Sequence, residues 1–230
     1  MVKLQEKLDM LLEKYAVEKN VKFIDNGHVT INDTVVPLLP WRSERRFFEM
    51  KSCVTNGTLG KPSVIRVANT TNKGACMKGL LAREADICRY TLGSEIISVM
   101  VFENADTLNA VLKLENDVIC TIELAATLRA GERPVDKHEI ATTRGTTCDK
   151  VVDTQYMQSS VYVLGEAHEE FTDVDFELYG LSIDEIAIVR AAFEAAKKND
   201  WSEAIAAEAS LKHFLECAER SSKNCERVDV

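Results

Sequence analysis

The segment Lys78–Gly93, KGLLAREADICRYTLG, holds the densest set of groups able to do chemistry. Read as a helix, it places Gly79, Arg83, Asp86 and Tyr90 on one face, because residues three and four apart are helical neighbours. Leu81, Ala85, Cys88 and Leu92 form the opposite stripe and are expected to pack on a core. Arg83 offers a planar fork of donors that suits a carboxylate or a phosphate. It is always protonated, so it is no general base. Asp86 and Tyr90 are the other candidate ligand contacts on this face, although Asp86 could equally pair with Arg83 or Arg89. Arg66, Asn69 and Lys73, in RVANTTNK just before the helix, are further candidates, with a solvated loop as the plainer reading. Gly79 is unexplained, since glycine costs a helix about 1 kcal/mol against alanine.

The four histidines, His28, His138, His168 and His213, lie far apart in the chain. His28 and His138 fall in predicted strands and His213 in a helix, where a satisfied or surface histidine is the plainer reading. His168 sits among carboxylates in GEAHEEF, where proton transfer is weighed against a solvated strand end. There is no Gly-x-Gly-x-x-Gly, no Walker-type loop and no Gly-x-Ser-x-Gly elbow, so no dinucleotide site is expected from these residues. The seven cysteines are scattered, with no Cys-x-x-Cys pair and no histidine at zinc-ligand spacing. They read as free thiols of a reducing cytoplasm, and neither a metal nor a cofactor is expected in this chain.

The composition must position these groups. The chain has 230 residues, 46% hydrophobic and 28% charged, and a net charge of −9. That is an ordinary globular balance, and the acidic excess argues against a nucleic-acid partner. No apolar run approaches a membrane span, and MVKLQEKLDMLLEKY lacks the apolar core of a signal peptide. A cytoplasmic protein with no membrane partner is expected.

The element pattern is α+β. Leu4, Leu8, Leu11, Leu12 and Tyr15 mark an opening helix. Three β-rich runs follow, broken at Asn26-Gly27 and Asn32-Asp33, with Pro37 placing the third at an edge. A helix is predicted over 44–55. The middle of the chain is mostly strand: SVIRVAN, IISVMVF, LNAVLKLE, VICTIEL, HEIATT and SVYVLGE. Ser182 and Glu185 form a capping box, and Ser202 is expected to cap a last helix. The prediction is a large, mostly antiparallel or mixed open sheet with helices on one face, preceded by a helix and β-hairpins. Residues 1–40 read as an extension and 41–230 as the main domain.

The series NGTLGKPSVIRV, DICRYTLG, IISVMVFENADTLNAVLKLENDVICTIEL and HEIATTRGTTCDK, with its closing helix pair and short final strand, resembles a known domain. It is similar to the C-terminal domain of the glucose–fructose oxidoreductase / inositol dehydrogenase / MocA family over about 41–230. Members are two-domain, nicotinamide-dependent dehydrogenases of sugars and polyols. The resemblance implies an N-terminal Rossmann half with a glycine loop and a Glu-Lys-Pro motif, for which residues 1–40 have no room. It also implies an aspartate and an acid/base histidine where this chain has Gly79 and Arg83. The expectation is a non-catalytic relative that keeps the scaffold for a small anionic or sugar-like ligand, or for a homodimer through the open sheet. The alternative is the substrate half of a split NAD(P)-dependent enzyme whose Rossmann half is a separate chain.

Overall fold

The computed structural model describes residues 1–150, 160–165, 168–172, 175 and 177–230. Its chain divides into two compact units, Met1–Phe47 with Val174–Ser210, and Phe48–Asp173 with Leu211–Val230.

The first unit opens with helix α1 (Val2–Lys14), whose buried Leu4, Leu8, Leu11 and Leu12 follow the spacing of the apolar stripe. A three-stranded antiparallel sheet follows: β1 (Val21–Phe23), β2 (His28–Ile31) and β3 (Thr34–Pro37). Asn32 and Asp33 join β2 to β3 with φ of 47° and 70°. Two positive φ values make the mirror-image turn that matches strand twist. Pro37 ends β3 at the sheet edge, where a missing N–H costs no ladder bond. Helix α4 (Ile183–Lys197) begins with the expected reciprocal cap between Ser182 and Glu185. Its Val189, Ala192, Phe193 and Ala196 join the α1 leucines with Val29, Ile31 and Val36 in one core.

The second unit is built on a nine-stranded sheet. Its strands are β4 (Pro62–Asn72), β5 (Ile96–Glu103), β6 (Thr107–Leu114), β7 (Ile119–Leu128), β8 (Val135–Thr142), β9 (Gly145–Cys148), β10 (Ser160–Leu164), β11 (His168–Thr172) and β12 (Val228–Asp229). The spatial order is β11-β10-β9-β8-β4-β7-β6-β5-β12. β4 and β7 run parallel, and all other pairs are antiparallel. The sheet is therefore mixed, as the short turns and one helical crossover require. Helix α2 (Arg45–Thr55) precedes β4, and Gly57 beyond it adopts φ 72°. Helix α3 (Met77–Leu92) crosses from β4 to β5 and packs on β4, β6 and β7. It stops at Gly93, whose left-handed φ of 58° suits glycine.

Helix α5 (Ser202–Asn224) precedes the short strand β12. Ser202 is its first residue rather than its cap: the Asp200 carboxylate accepts the Ser202 N–H at 2.9 Å. Within the second unit Ser221 on α5 is buried, accepts the Val101 N–H at 3.0 Å and donates to the Glu226 carbonyl. The strands alternate as expected. Leu108, Ala110, Leu112 and Leu114 are buried on one face of β6, while Val111 is 43% exposed on the other. Among the described residues, no helix is long and apolar enough to cross a membrane.

Candidate functional site

Helix α3 departs from a simple two-faced helix. Leu81, Ala85, Cys88 and Leu92 are buried as their stripe predicts. Glu84 and Asp86 are also fully buried. A buried carboxylate needs a hydrogen-bonding or charged partner, and the sheet beneath supplies them for Glu84. On the covered face of the sheet, Asn69 of β4 stands directly opposite Asp136 of β8, and Val67 opposite His138. Period-two alternation puts Asp136 and His138 side by side on that face.

Glu84 reaches this pair from above. Its Oε1 accepts from Asn69 Nδ2 at 3.0 Å and from Arg83 Nη1. Its Oε2 meets His138 Nε2 at 2.7 Å. The other ring nitrogen, Nδ1, lies 2.7 Å from Asp149 Oδ2 just beyond β9. Asp149 Oδ1 accepts the His138 backbone N–H at 2.7 Å, and the Asp149 N–H donates back to the His138 carbonyl at 3.2 Å. Arg83 spans Asp136, with Nη1 3.3 Å from Oδ1 and Nη2 3.2 Å from Oδ2. Asp136 Oδ1 also stands 3.8 Å from His138 Nε2.

The charges answer one another. Burial by itself lowers the His138 pKa, but the carboxylates of Asp149, Glu84 and Asp136 outweigh it and raise the pKa to about 10. Burial raises that of Glu84, but Arg83 and His138 outweigh it and hold the carboxyl below its usual range.

The expected site residues are thus partly assembled. Arg83 and Asn69 meet around Glu84 and Asp136. Arg83 is not the free surface group its helix face suggested, because its side chain, 17% exposed, folds over two carboxylates. Asp86 lies buried with its Oδ1 3.7 Å from Arg89 Nη1, the inward counterpart of the surface pair considered from sequence. Tyr90 packs its ring under Lys51 Nζ, 4.1 Å from the centroid. Arg66 points to the opposite sheet face and pairs with Glu139 at 3.0 Å. Lys73 is exposed in the turn after β4. Gly79 is exposed, and its N–H donates to the Cys76 thiol at the helix cap. A Cβ there would meet nothing closer than 3.6 Å, so no packing demand explains the glycine.

Glu84, Asp136 and Asp149 escaped the sequence reading, and His138 entered it only as a satisfied histidine. The Asp-x-His spacing in VDKHEI was the available signal, since it sets two polar groups on one face of a strand that also carries Ile140. Among the other histidines, His28 bridges Asp25 and Glu208 within the first unit, and His213 is mostly exposed. The His168 side chain lies outside the described residues.

No protein-family model matches the chain, and no curated protein does. Solved structures match it in fold, and that fold is the α+β class described above. An oxidoreductase from Agrobacterium radiobacter in complex with NAD+, L-tartaric acid and magnesium superposes with a TM-score of 0.69 at 16% identity, over 83% of this chain and 63% of that one. A levoglucosan dehydrogenase in complex with NADH and levoglucosan gives 0.67 at 14% identity, over 84% and 65%. An inositol dehydrogenase homolog from Azotobacter vinelandii, complexed with NADH and myo-inositol, gives 0.61 at 10%, over 84% and 63%. The chain therefore spans less than two thirds of the structures it resembles. The likeness to the glucose–fructose oxidoreductase / inositol dehydrogenase / MocA type holds at the level of the fold.

Proposed function

We propose that the chain is a non-catalytic relative of the sugar and polyol dehydrogenases, one that keeps their substrate-domain scaffold for binding a small ligand and for self-assembly. The observation that supports this reading is the state of Arg83. It occupies the position that the resemblance assigns to the acid/base histidine, and its guanidinium is committed to Asp136 and Glu84. Gly79 offers no side chain at the companion position. A guanidinium neither accepts nor releases a proton near neutral pH, so hydride transfer at this place lacks its proton partner. An anionic or sugar-like ligand reaching Arg83 has to displace the Asp136 carboxylate. The reading places no nicotinamide cofactor on this chain by itself, and sets the protein in the cytoplasm, in keeping with seven free cysteines.

Self-assembly is assigned to the uncovered sheet face, as a homodimer or higher homo-oligomer. Phe102, Val111 and Ile119 are 52%, 43% and 37% exposed there, at diagonal positions on β5, β6 and β7: Phe102 pairs with Asn109, Val111 with Met100 and Thr121, and Ile119 with Lys113. Apolar side chains at diagonal positions on an open sheet face are a cost in water that a second copy removes.

Calorimetric titration of the full chain with NADH and NADPH tests the first part. No saturable binding is expected, and a micromolar nicotinamide site overturns it. A second reading is favoured by coverage alone, since the chain spans 63% of a structure that holds NAD+. In that reading it is the substrate half of a split NAD(P)-dependent oxidoreductase with a Rossmann half on a separate chain. Hydride-transfer activity appearing only on mixing with such a chain supports it.

A further inference from the structure

The group around His138 has a geometry that an internal ion network does not require. Three donor atoms from two elements converge: Glu84 Oε2 from α3, and Asp136 Oδ1 and His138 Nε2 from β8, all within 4.8 Å of one another. Each is positioned by a partner outside the trio. Asp149 fixes His138 through Nδ1 and the backbone N–H, so the ring presents Nε2. Asn69 and Arg83 hold Glu84 through Oε1, which leaves Oε2. Arg83 grips both Asp136 oxygens, Nη2 on Oδ2 and Nη1 on Oδ1, and Asn69 Nδ2 lies 3.5 Å from Oδ1, so the carboxylate is fixed beside His138. Carboxylate-backed histidine and hydrogen-bonded carboxylates are the outer shell that metal ligands carry.

The spacing also fits. A tetrahedral cation about 2.1 Å from each ligand sets neighbouring donors roughly 3.4 Å apart. The observed distances from Nε2, 2.7 Å to Glu84 and 3.8 Å to Asp136, bracket that value. Small side-chain shifts of opposite sense open the position. Three carboxylates also face one imidazole and one guanidinium among these named groups, so a dication is a better match for them than a proton. Asp136, 15% exposed, marks the route from solvent.

We propose that Glu84, Asp136 and His138 form a binding site for one divalent transition-metal cation of the zinc type, tying α3 to β8. One imidazole nitrogen with two carboxylate oxygens suits zinc or cobalt and falls short of the six or more oxygens that calcium takes. Water completes the coordination. The inference is independent of whether the chain takes part in hydride transfer.

The test uses the full chain, treated with chelator, in a Cys76→Ser/Cys225→Ser background that removes the two exposed thiols. Zinc is titrated by calorimetry at neutral pH, and cobalt by its visible absorption. One equivalent of zinc is expected to bind and raise the melting temperature by several degrees. Cobalt is expected to give the spectrum of a four-coordinate site with nitrogen and oxygen ligands. Asp136→Asn, at the partly exposed ligand, should weaken zinc at least tenfold, and His138→Gln should abolish binding. If His138→Gln fails to fold, Asp136→Asn and the cobalt spectrum decide. Absence of zinc binding, or equal affinity in Asp136→Asn, overturns the site and leaves a self-contained ion network.

Discussion

Glu84 Oε2 and His138 Nε2 meet at 2.7 Å in a place closed to solvent, although 54 residues separate them in the chain. The contact fastens the crossover helix to the sheet strand that lies beside its own origin. Arg83, the residue before Glu84 on the helix, balances the same carboxylate and Asp136.

Arg83→Ala is expected to destabilise the fold by about 2–3 kcal/mol, because it strips two carboxylates of a charged donor in a mostly buried place. Arg83→Lys should recover part of the loss, since a point charge replaces a fork. Urea unfolding followed by circular dichroism measures both. An unchanged midpoint for the alanine variant would show that the network contributes nothing.

Gly79→Ala is expected to stabilise the protein by roughly 0.5–1 kcal/mol. The backbone there is helical, the added Cβ has room, and alanine removes unfolded-state freedom. A rise in the thermal midpoint checks this. A fall would mean that the first turn of α3 needs its glycine.

His28 lies 2.9 Å from Glu208 and 3.1 Å from Asp25. The Glu208 hydrogen bond raises its pKa against the opposing effect of burial, with Asp25 adding to the rise. A raised folded-state pKa contributes stability that is fully present below the unfolded value of about 6.5 and is lost as pH rises through the folded pKa. His28→Gln should therefore be less stable than the parent at pH 5.5, with the gap closing as pH climbs above about 6.5. Paired melting curves across pH measure it, and a gap that widens with pH contradicts the assignment.

Ser221→Ala is expected to cost about 1–2 kcal/mol, since it leaves the buried Val101 N–H without its acceptor. Amide exchange at Val101 should accelerate in the variant. Unaltered protection there would place the strand's stability elsewhere.

Val111→Glu and Ile119→Lys place charges on the uncovered sheet face, where both side chains are already part-exposed. Light scattering should show the parent as a dimer or larger and the variants as monomers with an unchanged far-ultraviolet spectrum. A monomeric parent removes the assembly reading.

Much of the secondary structure was legible because its causes are local. The Ser182–Glu185 cap, the Asn32-Asp33 turn, the alternation of LNAVLKLE and the stop at Gly93 each rest on a few adjacent residues, and all stand in the structure. The polar site was not legible in the same way. A glutamate in AREAD reads as solvated helix charge until a strand places a histidine beneath it. His138 reads as a satisfied strand residue until Asp149 is known to lie behind it.

Sequence by itself determined most of the helices and longer strands, and which stripe of α3 is apolar, since backbone propensity, capping and periodicity act over one or two turns; it missed the short strands β9 and β11. Tertiary structure alone decided that β4 pairs in parallel with β7 and antiparallel with β8. That pairing sets Asn69 opposite Asp136, brings His138 under α3, and turns Glu84, Asp136 and Arg83 from separate charges into one buried group. Burial reverses the meaning of a charged residue, because a carboxylate taken out of water must find its partner inside the protein.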